Sequence, residues 1–203
     1  MTVYVESNFV LEIALGQEQS DAAQAILERA ERREIALALP AFSLSEPFST
    51  VSHRSRRLQQ LRKQLADELR ERARSGPHQK DVQALEPTSS FLASIETREL
   101  ERLILTVGRL YASAIVIPMD ASVYAEAMIV TSQWGLTPQD AMINSAVLEH
   151  IRTSRLPGPR VFINKNWRDF MGTRIQTELV ALNCEFHRTF VDAESTLMRT
   201  FTD

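Results

Sequence analysis

The chain has 203 residues, 44% of them apolar and 24% charged, which suits one domain, or one domain with a sizeable insertion, and is enough to bury a core. Lys plus Arg total 23 and Asp plus Glu 26, a formal charge of −3, so a globally basic nucleic-acid coat is excluded while a local basic patch is not. The lone Cys184 excludes an internal disulfide and a Cys-rich zinc module, and six widely separated glycines exclude a G-x-G-x-x-G or Walker-type phosphate loop.

Thr2 to Val5 reads as a short strand, followed by Glu6, Ser7 and Asn8 and then by Phe9, Val10, Ile13 and Ala14 at helical spacing. A helix is expected from Ser20 to about Arg33, with Ala22, Ala23, Ile26, Leu27 and Ala30 on one stripe. Ile35 to Leu39, closed by Pro40, reads as a buried strand. From His53 to Arg74, eight basic residues face three acidic ones, with Leu58, Leu61, Leu65 and Leu69 at threes and fours. This is a long basic amphipathic helix, ended by Ser75, Gly76 and Pro77. A polar link to about Thr88 and a helix from about Ser89 to Tyr111 follow, and the two helices could form an antiparallel hairpin. Ala114 to Ile117 is a third strand, leading to a helix that ends near Gly135 and another from Thr137 to about Ile151. Val161 to Ile163 is the fourth strand. A helix from about Ile175 to Leu182, a last strand near Cys184 to Phe186 and a helix from Asp192 to Thr200 complete the chain.

Short apolar strands alternating with helices predict an α/β fold, a three-layer α/β/α sandwich around a mostly parallel sheet. The whole of 1–203 reads as a single domain, with 53–112 as a helical insertion. No apolar run approaches the roughly 18–20 residues of a membrane span. MTVYVESNFVLE has no basic leader and carries Glu6 and Glu12 in its apolar stretch, so a cytoplasmic, membrane-free setting is expected.

In open parallel sheets the active site lies beyond the carboxyl ends of the strands. Glu6 follows the first strand, Glu46 lies in PAFSLSEPF after the second, Asp140 opens a helix in LTPQDAMIN, and Asn166 and Asp169 follow the fourth strand in VFINKNWRDF. Acids gathered in this way repel and raise one another's pKa, and a hard divalent cation such as Mg²⁺ or Mn²⁺ relieves the repulsion. Such an ion could activate a water and stabilise charge on a phosphodiester. Each residue also has a local reading. Thr137-Pro138-Gln139-Asp140 is a capping box, Ser43 to Glu46 has the same spacing, Glu6 suits a solvated helix start, and Asp169 could cap a helix. No G-x-S-x-G elbow is present; His150 ends a helix, where a cation suits the dipole; Cys184 reads as a core thiol, and Trp134 and Trp167 as packing residues.

The stretches VYVESNFVLEIAL, LALPAFSLSEPFSTV, LTPQDAMINSAVLEH and VFINKNWRDF, in this order, resemble the PIN domain family (PilT N-terminus) of metal-dependent ribonucleases. The resemblance covers about residues 1–52 and 113–190. It implies a PIN-like fold and Mg²⁺- or Mn²⁺-dependent hydrolysis of RNA, leaving a 5′-phosphate and a 3′-hydroxyl. Carried over, Glu6, Glu46, Asp140 and Asp169 are the catalytic acids; Glu6, Glu46, Asp140 and Asn166 are the metal ligands; Asn8 and Asn144 are supporting polar groups. Glu6 is one methylene longer than the family's usual Asp, Asn166 stands where many members have Asp, and compact toxin members lack so long a 53–112 segment. In the insertion, Arg54, Arg56, Arg57, Arg62 and Lys63 could track an RNA backbone, or form a solvated face with pairs such as Lys63–Asp67 and Glu68–Arg72. The alternatives are a degenerate PIN-like module that binds RNA or a protein without cutting, and the toxin of a toxin–antitoxin pair held by an antitoxin protein. A homodimer is also expected, since family members often pair.

Overall fold

The structure is a computed structural model that describes residues 1–74, 76, 79–170 and 173–200. In chain order it runs β1 (Thr2–Tyr4), α1 (Ser7–Leu15), α2 (Ser20–Glu31), β2 (Ala36–Pro40), α3 (Phe42–Arg72), α4 (Gln79–Ser113), β3 (Ile115–Ile117) and α5 (Ala121–Trp134). It continues through α6 (Pro138–Thr153), β4 (Arg160–Ile163), α7 (Trp167–Phe170), α8 (Thr173–Ala181), β5 (Cys184–His187) and α9 (Phe190–Thr200).

The strands form one sheet in the order β3-β2-β1-β4-β5, and every pairing is parallel. Val3 lies beside Leu37 and Val161, and Tyr4 beside Ala38 and Phe162. Because successive residues point to opposite faces, the two rows feed separate cores. Val3, Leu37, Leu39, Val161 and Ile163 pack with Phe9, Ile26, Leu103, Leu110 and Phe190 from α1, α2, α4 and α9. Tyr4, Ala38, Phe162 and Cys184 pack with Val123, Ala127, Ala146, Phe170 and Leu179 from α5, α6, α7 and α8. The chain is therefore an α/β/α sandwich, and burial on both faces explains why the central strands β1, β2 and β4 are largely apolar, while the edge strand β5 carries the exposed Glu185.

Several boundaries differ from the sequence expectation. The basic helix is continuous with the turn after β2: α3 starts at Phe42 and carries Pro47 as its sixth residue, past the four N–H groups that lack an intrahelical partner, so the bond to the Ser43 carbonyl is missing there. The polar link shrinks, because α4 already begins at Gln79 and runs through Pro87; Val82, only 8% exposed, anchors this early turn. Ser75 and Pro77, expected at the end of the basic helix, lie outside the described residues. The α3 and α4 helices are antiparallel, stitched by Arg54 to Glu99 at 3.0 Å, Gln59 to Glu96 at 2.5 Å, Ser55 to Glu96, and Arg62 to Glu96 at 3.9 Å. At the base of this arm, α1 packs against both helices. The short α7 carries no helical periodicity. It forms around Phe170, which is fully buried with its ring 5.8 Å from Phe162 and 6.4 Å from Phe186. Among the described residues no helix is long and apolar enough to cross a membrane.

Candidate metal centre

From β1 the chain builds outward to β2 and β3 on one side and β4 and β5 on the other. The crevice between the carboxyl ends of β1 and β4 is thus a topological switch point, where open α/β sheets bind ligands. A cavity of about 510 Å³ sits there, lined by Glu6, Ser7, Asn8, Glu46, Asp140, Lys165 and Asn166, with Leu11, Thr50, Gln139 and Ile143. A larger cavity, about 630 Å³, runs along the arm, but its acid, Glu99, is bound to Arg54.

Glu6 is not solvated. It is 4% exposed and is the N-cap of α1, its Oε2 accepting from the Asn8 N–H at 2.9 Å. Its Oε1 is buried with no hydrogen-bond partner. Burial pushes its pKa up to about 7; the Asn8 hydrogen bonds oppose this, and the charges of Glu46 and Asp140 add to it. A fixed, half-satisfied acid faces two others across the cavity.

Glu46 does not close a capping box with Ser43. Ala41 precedes α3 with no side-chain cap, Ser43 lies inside the helix with its Oγ buried and unpartnered, and the Glu46 carboxylate accepts from the Ser7 hydroxyl. The box at Thr137 is real: the Asp140 N–H donates to Thr137 Oγ1 at 3.2 Å, that hydroxyl donates to Asp140 Oδ2 at 2.6 Å, and Pro138 opens the helix. The capping role does not consume Asp140, since Oδ1 faces the Asn166 amide at 3.4 Å. Asn166 is positioned in turn by Asn164, whose buried side chain accepts from the Asn166 backbone N–H at 2.7 Å. Asp169 lies in α7, but its side chain is outside the described residues. Asn144 does not line the cavity; it is fully buried one turn beyond Asp140, with both amide atoms unpartnered.

None of Arg54, Arg56, Arg57, Arg62 and Lys63 lines this cavity. Arg54 and Arg62 pair with α4, Arg56 donates to Ser52 at 3.3 Å, Arg57 borders the arm cavity, and Lys63 is exposed. Asp67 pairs with Arg70 at 3.0 Å, while Glu68–Arg72 forms at 3.7 Å as expected. His150 lies in the last turn of α6, as expected. It bonds the Tyr4 hydroxyl at 3.0 Å, and burial pushes its pKa down. Cys184 is a buried core thiol, raised by burial to about 12.

Two residues of the site carry no motif. Glu12 is fully buried on α1, its Oε2 accepting from the Gln19 N–H at 2.9 Å and its Oε1 bound by Lys165, which lines the acidic cavity. A buried acid inside an apolar helix was a legible anomaly; its partner, 153 positions away, was not.

The donors fit a hard cation in kind: three carboxylates and an amide, with one carboxylate oxygen buried and unsatisfied. As arranged, no three His, Cys, Asp or Glu side chains among the described residues converge tightly enough to hold an ion by themselves. Mg²⁺ does not need such a cage, because it is usually held by one or two carboxylates plus waters and substrate phosphate. No protein-family model, curated protein or solved structure matches the chain.

Proposed function

We propose that this chain is a PIN-like, Mg²⁺- or Mn²⁺-dependent endoribonuclease. The observation that carries the reading is Glu6: a buried carboxylate with one oxygen unpartnered, at the switch point of a parallel sheet, in the same cavity as Glu46 and Asp140. Glu6, Glu46 and Asp140 would hold the ion, with Asn166 beside Asp140. Bound there, it would lower the pKa of a water and offset charge on the scissile phosphate. The protein's own part is orientation. Asn8 fixes Glu6, Ser7 fixes Glu46, and Thr137 fixes Asp140.

Asp140→Asn tests the reading. The amide oxygen can still accept from Thr137, so the fold is retained to within about 1 kcal/mol, while cleavage of single-stranded RNA in Mn²⁺ is lost. Wild-type cleavage by this variant would overturn the proposal. A second reading, a module that binds without cutting, draws support from the lack of a closed three-acid group among the described residues. Calorimetric titration with Mn²⁺ separates the two: saturable binding abolished in Asp140→Asn supports the enzyme, and no binding at millimolar metal together with no cleavage supports the module.

A further inference from the structure

Lys165 is the only cationic side chain lining the acidic cavity among the described residues. It lies two residues past the end of β4, at the switch point, beside Asn166. It is 29% exposed, whereas the Glu12 carboxylate that binds it is 0% exposed. Glu12 is doubly satisfied, by Lys165 and by the Gln19 N–H. An ammonium has three donors, and among the described residues this one bonds only Glu12; two donors are left for the cavity. A flexible side chain is thus immobilised by a buried anion and presented to a space whose other charged groups are the acids Glu6, Glu46 and Asp140. An anionic phosphate entering that space would be repelled by Glu6, Glu46 and Asp140, and the arginines of the arm do not line it.

We propose that Lys165 is the phosphate-binding cation of the cleft. Its ammonium contacts a non-bridging oxygen of single-stranded RNA, and Glu12 acts as its positioning residue. The inference rests on the ribonuclease reading for the identity of the ligand. The pair is not only an internal neutralisation of Glu12, because neutralisation does not require the ammonium to border the cavity.

The test is binding of a fluorescein-labelled single-stranded RNA to the full chain in EDTA, followed by anisotropy across a KCl series. Lys165→Met should weaken binding on the order of fivefold at low salt. It should also reduce the slope of log K against log[KCl] by about 0.7, the loss of one phosphate contact on a single strand. Lys165→Arg should keep the slope. Glu12→Gln keeps the ammonium charge, so the slope stays while affinity falls. The double variant Glu12→Gln with Lys165→Met buries no unpaired carboxylate and should show the same slope loss, which guards against misfolding of the single variant. Unchanged slope and affinity in the folded Lys165 variants, or no RNA binding by the wild-type chain, would overturn the assignment. A Lys165-dependent slope in a protein that never cleaves RNA in Mn²⁺ would overturn the nuclease and leave Lys165 standing; cleavage with an unchanged slope would do the reverse.

Discussion

Glu6 combines two functions that pull against each other. As an N-cap it must accept from Asn8, and as a buried acid it resists ionisation, with its pKa pushed up to about 7. In the unfolded chain an ordinary Glu loses its proton near pH 4.5, so between there and pH 7 the folded state binds more protons than the unfolded one. Stability therefore falls as pH rises through that window and levels off above it, by on the order of 3 kcal/mol. Glu6→Gln should remove this component. The difference between variant and wild type in urea unfolding should be small at pH 4.5 and favour the variant by about 2–3 kcal/mol at pH 8. A difference that does not change with pH would sink the assignment. His150 contributes with opposite sign, because its depressed pKa costs stability as pH falls below about 6.5, and the difference measurement cancels it. Mn²⁺ should restore what ionised Glu6 costs, raising Tm in wild type and not in Glu6→Gln when followed by thermal melts at pH 8. At this scale the sequence was partly legible. Thr137 and Asp140 announced their cap, since every atom of that box lies within four residues. The burial of Glu6 was not legible, because it arises from tertiary packing around the end of β1, beside residues of α3 and α6 that are distant in the chain.

The elements show why some boundaries could be read and others could not. The end of α5 was marked by Gly135, which adopts φ 70°, a conformation that costs other residues. The start of α3 was obscured by Pro47, and that of α4 by Pro87 and a polar composition. Both helices pack on each other and on α1, contacts that no local signal records. Glu96 is the centre of the contact between the two, accepting from Ser55 and Gln59 and lying 3.9 Å from Arg62. Glu96→Ala should cost about 1 kcal/mol and speed amide exchange in 55–62 and 93–99. The sheet amides should keep their protection. Equal acceleration in β1 and β4 would show that the arm and the sheet open as one unit.

For the molecule as a whole, the sheet is a partition. Phe162 and Ile163 are adjacent in β4 yet belong to different cores. Phe162→Ala should cost about 3–5 kcal/mol and Ile163→Val about 1 kcal/mol. Chain neighbours often couple, but here the double variant should be additive within about 0.5 kcal/mol, as measured by urea unfolding. A larger coupling would mean that the sheet transmits strain between its faces. The alternation of strands and helices made the layered α/β architecture legible from the sequence, and the rule about strand ends picked out Glu6, Glu46 and Asp140, which share one cavity. The pairing of Glu12 with Lys165 escaped because nothing local records which loop meets which helix once β4 is placed beside β1.

Glu46 and the basic residues of the arm lie on one helix, about 45 Å long at 1.5 Å per residue. The acid-bearing end of that helix is the end that packs, with α4, against α1. Glu46 is tied to α1 by the Ser7 hydroxyl, and Glu6 is the N-cap of that same α1, so the spacing of the two carboxylates is set where the arm meets α1.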